Sequence, residues 1–274
     1  MTRLPVHPQG EVLCQTGSQS CAACCGLFNF ADRSPEALHQ RLLRRTHAVR
    51  EAGWEMMALR EVAARLSTEE APALLFKAVR TCPLAGYVDE NARRVGCLIH
   101  PLRHPTGEDL RDLGAYGDRN ICAGHLCAPH SWLGPVERAL IECAPSWRAY
   151  SMAVGESGFV KALLGHLAAR RGGEVQLKDL GSDAVRAGAA KVFALFDHWA
   201  FADEDPRRFG GFSFAGDDAY TRSVPSVARF SDLMSRHEAT MLDCLGTLAE
   251  TESQAVAAVT ALREVLRPLD DALS

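Results

Sequence analysis

Along much of the chain, apolar residues recur every three or four positions with charged residues between them, the pattern of helices that bury one face. Leu38, Leu42 and Val49 share such a face. Their segment opens as a helix should: Ser34 offers a capping hydroxyl, Pro35 needs no amide hydrogen bond, and Glu36 lies near the positive end of the dipole. Gly53 closes it. Met56, Leu59, Val62 and Leu66 predict a second helix, with Arg60, Glu61 and Arg65 on the rest of its surface. Further on, the pattern predicts a short helix from Pro135 through Cys143 and longer ones over about 156–171, 183–199, 226–249 and 252–267. Phe159, Leu163, Leu164 and Leu167 form one stripe, Val185, Val192, Leu195 and Phe196 a second, and Val256, Val259, Leu262 and Leu266 a third.

Between these stretches the period changes. Tyr87, Val88, Val95, Leu98 and Ile99 flank the polar turn Asp89-Glu90-Asn91 and predict a short hairpin ending at Gly96 and Cys97. Residues 101–134 carry prolines, glycines and histidines without a period, which predicts a loop held by something other than its own backbone ladder. The segment Phe209-Gly210-Gly211-Phe212-Ser213-Phe214 reads as a loop whose aromatics plug the core, with a lid or partner-binding loop as the alternative. The expected fold class is mainly α, or α+β with a small hairpin. Residues 1–150 form an irregular, cysteine-rich metal-binding half with two helices, packed on a helical half over 151–274.

Composition narrows the function. The chain has 274 residues, 47% hydrophobic and 23% charged, the balance of an ordinary globular protein. A formal charge of -4 and a pI near 6.2 give no overall basic field, so neither nucleic acid nor an anionic membrane surface is an expected partner. There is no run of about 18 apolar residues, and Met1 to Val12 does not read as a signal segment, so the expected location is the cytoplasm.

Ten cysteines are many for such a chain, and all but Cys244 lie between Cys14 and Cys143. A disulfide framework requires an oxidising compartment and suits a small chain without much of a core, so metal binding is the leading explanation. Cys21, Cys24 and Cys25 form C-x-x-C-C, whose two-residue gap lets a turn aim two sulfurs at one ion, and Gly26 follows with the flexibility a tight turn needs. Cys82 before Pro83, Cys97 after Gly96, and Cys122 and Cys127 with His125 between them continue the series outside the apolar stripes. His100 lies three residues beyond Cys97; His125 and His130 flank Cys127 closely enough to replace a thiolate, but each reads more simply as a loop histidine bound to backbone. Cys143 and Cys244 sit in amphipathic helices and read as core thiols. Closing the loop of about 57 residues between Cys25 and Cys82 costs roughly 3.6 kcal/mol, against on the order of 10 to 16 kcal/mol from a structural zinc ion, so a site assembled from distant segments is affordable. Thiolates around a metal leave net negative charge, for which Arg93, Arg94, Arg103, Arg111 and Arg119 are candidate donors.

Cys21-x-x-Cys24-Cys25, then Cys82-Pro83-Leu84, then Gly96-Cys97-Leu98-Ile99-His100-Pro101 resemble the steps of the YkgJ-type CxxCC proteins, described as zinc- or iron-chelating and as iron-sulfur cluster-binding. The resemblance covers about residues 14–127. His100 stands where an aromatic is common in that family, and Arg103-His104-Pro105 is followed by no cysteine until Cys122. The expected ligands are therefore Cys21, Cys24, Cys25, Cys82 and Cys97 first, Cys122 and Cys127 next, and Cys14 third. Eight thiols exceed the four that one tetrahedral ion uses. Two sites, one site plus a structural or redox pair, or an iron-sulfur cluster with reserve cysteines all fit the count.

No other chemistry stands out. Gly155-Glu156-Ser157-Gly158 lacks the spacing of a nucleophile elbow and reads as a helix start, while His237-Glu238 has Met241 where a zinc-protease helix needs its second histidine. Asp197, His198 and Trp199, followed by Asp203, Glu204 and Asp205, read as a solvated helix end. The expected function is binding of zinc or an iron-sulfur cluster in redox or protein-maturation chemistry. Two alternatives stand beside it: an interaction module braced by structural zinc, with a protein partner, and a protein-modifying enzyme with an accessory cluster.

Overall fold

The computed structural model describes residues 12–16, 18–205, 207–209, 211–215, 219–222 and 226–274, so Met1 to Glu11 and Gly210 lie outside the described residues. The chain is mainly helical with a small antiparallel hairpin, and it divides into two compact units, residues 1–130 and 131–274. The segment 131–150, expected in the first half, belongs to the second unit.

In the first unit, α1 (Pro35–Ala52) starts where Ser34 accepts a hydrogen bond from the Ala37 amide at 3.3 Å and ends at Gly53, whose φ of 66° few other residues adopt. Leu38, Leu42 and Val49 are buried as the spacing predicts, with Ala48 beside them, but so is Arg45, at 0% exposure. Its Nε lies 3.0 Å from Oε1 of Glu70, the last residue of α2 (Met56–Glu70). Arg41 and Arg44 share the Glu70 carboxylate, and Arg41 covers the Phe30 ring at 3.6 Å. A buried ion pair of this kind tolerates loss of neither partner. The buried face of α2 is Leu59, Ala63, Leu66 and Glu70; Met56, placed on that face by spacing alone, is exposed because it begins the helix, before the face reaches cover.

The hairpin is as expected: β1 (Ala85–Tyr87) pairs antiparallel with β2 (Val95–Cys97) in the register Ala85↔Cys97, Gly86↔Gly96, Tyr87↔Val95. The Asp89 carboxylate ties its turn by accepting from the Arg93 and Arg94 amides at 3.0 and 2.8 Å. The paired glycines have a packing reason. A Cβ on Gly86 would lie 2.6 Å from Thr46 Oγ1 of α1, and one on Gly96 would lie 2.8 Å from Gln15 Nε2, so α1 and the Cys14 loop can close on the ribbon only where side chains are missing. A small apolar cluster of Val49, Leu59, Ala63, Leu84, Leu98, Ile99 and Leu110 lies beneath, with Cys82 and Cys97 packed against it. Residues 101–134 are not all loop: they contain α3 (Arg119–Gly124), which Asp118 caps by accepting from the Asn120 amide at 2.8 Å, and α4 (Ala128–Trp132), which spans the boundary between the units.

The second unit contains α5 (Pro135–Ile141), α6 (Trp147–Gly155), α7 (Ser157–Arg171), α8 (Asp183–His198), α9 (Arg236–Cys244) and α10 (Glu252–Leu273). Helix α6 lacks a polar face to give it away, since Ala149 to Val154 are all buried; a helix covered all round shows no periodic stripe. The segment 226–249, expected as one helix, splits into a kinked 3-10 stretch, Ser226–Leu233, and α9, because Ser235 and Glu238 form a capping box that starts a new helix. Helix α10 runs through Pro268 instead of ending at 267, since Leu269 and Leu273 are buried beyond it. It packs against α8 so closely that a Cβ on Gly188 would lie 3.0 Å from the Leu269 backbone. Val256, assigned to its buried face, is 46% exposed.

The glycine- and phenylalanine-rich segment forms strands instead of a loop: β3 (Arg208–Phe209), β4 (Phe212–Ala215) and β5 (Ala219–Arg222) make an antiparallel sheet in that order. The Glu156 carboxylate accepts from the Gly211 amide at 2.9 Å, which ties this sheet to the α6–α7 junction. The acidic end of α8 is not a solvated terminus. Asp197 takes Arg148 and the Ser146 hydroxyl, Trp199 Nε1 donates to Thr247 Oγ1 at 3.0 Å, and Asp203 pairs with Arg208.

Candidate metal centre

The CxxCC segment forms a single 3-10 turn, Ala23–Cys25, ended by Gly26 in the left-handed region at φ 75°. A Cβ on Gly26 would lie 2.2 Å from the Arg80 carbonyl oxygen, so only glycine lets residues 80–82 come this close. That approach is sewn in place on both sides of the turn. The Cys82 amide donates to the Cys25 carbonyl at 2.9 Å. The buried Asn29 side chain donates to the carbonyls of Phe76 at 2.8 Å and Val79 at 3.1 Å, and its own oxygen accepts from the Phe76 amide. Phe30 and Leu74 form an antiparallel bridge. The spacing between Cys25 and Cys82 is thus bridged by backbone pairing that nothing in the cysteine motif announces.

The Cys14 loop is fixed to the hairpin in the same manner. Gln15 Nε2 donates to the Val95 carbonyl at 2.7 Å, the Val95 amide donates to Ser20 Oγ at 2.8 Å, and Arg94 reaches Gln15 Oε1 and the Thr16 carbonyl. The Cys21 amide donates to the Cys14 carbonyl at 3.0 Å. Cys97 is the last residue of β2, Cys122 lies inside α3, and Cys127 directly precedes α4, so several expected loop thiols are carried by short regular elements.

Among the described residues, the ten cysteines form no disulfide with one another. The eight expected ligands come together as electrostatic neighbours. Cys14 and Cys25 donate to Cys24, which together with the nearby His125 holds the Cys24 thiol down at about 3 despite its burial. Cys14 is pushed far up by that bond, by burial and by the charges of Cys24, Cys21 and Cys127. Cys25 is pushed up by its bond to Cys24, by burial and by Cys24, Cys82 and Cys97. Burial and Cys82 raise Cys97 to about 12 against the opposing Ile99 amide and Arg111, and burial and Cys82 also raise Cys122. Such mutual repulsion is what a cation would relieve, allowing several thiols to ionise together.

Geometry sets a limit on that fit. Among the described residues no group of three or more Cys, His, Asp or Glu side chains is gathered closely enough to hold a metal ion as it stands. Cys14 and Cys25 instead hydrogen-bond to Cys24. The donor set has the chemistry for a soft or borderline metal, with thiolate sulfur throughout.

The expected counter-charges divide. Arg111, paired with Asp109 at 2.8 Å, lies within reach of Cys97 and Cys122, and Arg103 lies within reach of Cys97 while donating to the Val88 carbonyl. Arg94 anchors the Cys14 loop, Arg119 pairs with Asp112, and Arg93 contributes its amide to the hairpin turn. His125 is a neighbour of Cys24; His100 accepts from the Leu102 amide at 3.2 Å, and the His130 amide donates to the Cys127 carbonyl at 2.8 Å. Tyr116, a residue the motif spacing does not single out, donates to the Cys24 carbonyl at 3.4 Å and lies near Cys24, Cys25, Cys122 and Cys82. An open groove of about 740 Å³ runs past Thr81 and Pro83, the neighbours of Cys82, with Arg60, Lys77 and Arg80 on its walls. Cys143 lies in the turn that follows α5, its thiol directed at the Ala139 carbonyl, and Cys244 is fully buried in α9.

Among the described residues no helix is long and apolar enough to cross a membrane. Compared with known protein families, with curated proteins and with solved structures, the chain matches none.

Proposed function

We propose that this protein is a cytoplasmic metal-binding protein that holds zinc or an iron-sulfur cluster through the CxxCC-centred thiols and serves redox or protein-maturation chemistry. The observation that carries this reading is that thiols spread from Cys14 to Cys127 become neighbours through dedicated glycine, asparagine and backbone contacts. When bound, a cluster would supply electron transfer and zinc would supply charge and bracing. The chain's own residues supply the rest. Cys24 accepts from Cys14 and Cys25, Arg111 and Arg103 offset charge near Cys97, and the Gly26 turn holds Cys25 beside Cys82.

One observation favours a purely structural zinc instead: Cys82 and Cys97 pack directly on the small apolar cluster of the first unit, where an ion would staple a core of few residues. A single preparation separates the two. Anaerobic purification followed by metal and sulfide analysis and an absorption spectrum is expected to show bound metal. Iron with sulfide and a brown chromophore supports the redox reading, colourless stoichiometric zinc supports the structural one, and protein that takes up neither metal refutes both.

A further inference from the structure

We propose that the groove along α2 in the first unit is the docking site for an extended acidic segment of a protein partner, held by Arg60, Lys77 and Arg80. The proposal goes beyond the metal-binding reading and does not depend on it.

Shape decides what fits. One side of the groove is a single face of α2, because Arg60, Ala63, Ala64, Ser67 and Glu70 are spaced three and four residues apart; the rest of the lining comes from the stretch between Leu74 and Pro83 and from Asp112 to Ala115. From Arg60 to Glu70 a helix rises about 15 Å, the length of about four or five residues of extended chain. Much of the lining is small, with Ala64, Ala78 and Ala115 beside Gly114, so a backbone can lie close against it. The groove, of about 740 Å³, is open, which suits a chain lying along it better than a small molecule, whose sites mostly enclose it. At Gly114 it meets the thiol-bearing segments, since a Cβ there would lie 3.7 Å from Cys82 Sγ.

Charge decides the chemistry of the occupant. Both acids of the lining already have partners: Glu70 is buried against Arg45, with Arg41 and Arg44 also on its carboxylate, and Asp112 is paired with Arg119 at 2.5 Å. Arg60, Lys77 and Arg80 are exposed, and among the described residues none of the three takes part in an ion pair. Arg80 Nη1 donates to the Ala115 carbonyl at 3.2 Å, which holds that guanidinium over the groove. Three such cations in one groove of a chain whose formal charge is -4 reverse the sign locally, and a row of carboxylates is the complementary surface. Among the described residues no aromatic side chain lines the groove, so it lacks the stacking platforms on which single-stranded nucleic acids are held. An acidic peptide segment is therefore the occupant that both shape and charge favour.

The test titrates the full chain, as purified, into three rhodamine-labelled probes followed by fluorescence anisotropy: a peptide of about eight residues alternating Glu and Ser, its counterpart with Gln for Glu, and an oligouridylate of similar length. The Glu peptide is expected to bind best, and more weakly as salt is raised. Arg60→Glu combined with Lys77→Glu is expected to weaken it by about tenfold or more, and Ala64→Trp, which fills the groove without changing charge, to weaken it as well. Lys178→Glu combined with Lys191→Glu, the same change in net charge placed in the second unit, is expected to leave it at wild-type affinity. If the first pair does not fold, as judged by circular dichroism, Arg60→Gln with Lys77→Gln replaces it. No binding of the Glu peptide, equal binding of the Gln peptide, tighter binding of the oligouridylate, or equal losses in the groove and control variants overturns the proposal. Metal content measured on the same preparations keeps this result separate from the metal-binding reading.

Discussion

At Glu238 three partners outweigh burial. Burial alone would push its carboxyl up, but the Arg263 guanidinium at 2.6 Å and the Ser235 amide and hydroxyl hold it down at about 2. A carboxyl depressed from an unfolded value near 4.3 contributes stability that is complete above about pH 4.5 and is lost as the pH falls towards 2. Because Arg263 is half exposed and screened by water, the contribution is on the order of 1–2 kcal/mol. Urea unfolding of the wild type is expected to weaken between about pH 4.5 and 2 by about that much more than Glu238→Gln does; equal slopes would show that the pair contributes nothing. The His237-Glu238 dipeptide thus belongs to helix capping. The His237 ring lies where a Cβ on Gly165 would touch it, at 2.4 Å, so this pair is a packing and capping feature. At the same scale the sequence said nothing of Arg45 and Glu70. Both fall in helical stripes where charge is normally solvated, and only the fold brings 0% and 3% exposed partners together.

The decisive element for the site is the turn Ala23–Cys25 with its Gly26 cap. Alanine at Gly26 would adopt a positive φ at a cost of about 1–2 kcal/mol and would also drive its Cβ into the Arg80 carbonyl, so the total loss is expected at about 2–4 kcal/mol. Gly26→Ala is expected to lower the urea midpoint and, by moving residues 80–82 away, to lower bound metal per chain. Unchanged metal content would detach this turn from the site. Elements with a polar face and a capping signal are legible in the sequence: α1, α2, the hairpin, α7 and α8 lie where the period and the punctuation place them. The missed elements share a physical cause. Helix α6 is buried all round and has no stripe, and β4 and β5 exist by pairing with each other over Phe212↔Arg222 to Ala215↔Ala219, a preference that no local pattern encodes. Pro268 reads as a stop, yet buried Leu269 and Leu273 outweigh the hydrogen bond it removes.

At the scale of the molecule the two units draw on different reserves. The second holds the long helices and the closely packed α8–α10 contact, whereas the first rests on a small apolar cluster, the buried Arg45–Glu70 pair and the thiol-bearing segments. Stripping metal from the whole protein is therefore expected to expose residues 12–130 to limited proteolysis while residues 131–274 keep their helices, as read from cleavage sites and the remaining circular dichroism. Loss of both units together, or of neither, would place the metal outside the stability of the first unit. By itself the sequence determined the helical class, the hairpin and the Ser34 start and Gly53 stop of α1, because period, glycine and proline act over a few residues. Only the tertiary structure decided which thiols become neighbours. The Cys14 loop meets the hairpin through Gln15, and Cys25 meets Cys82 through Asn29 and Gly26, contacts between residues dozens of positions apart, and chain spacing does not encode the backbone pairing that closes such loops.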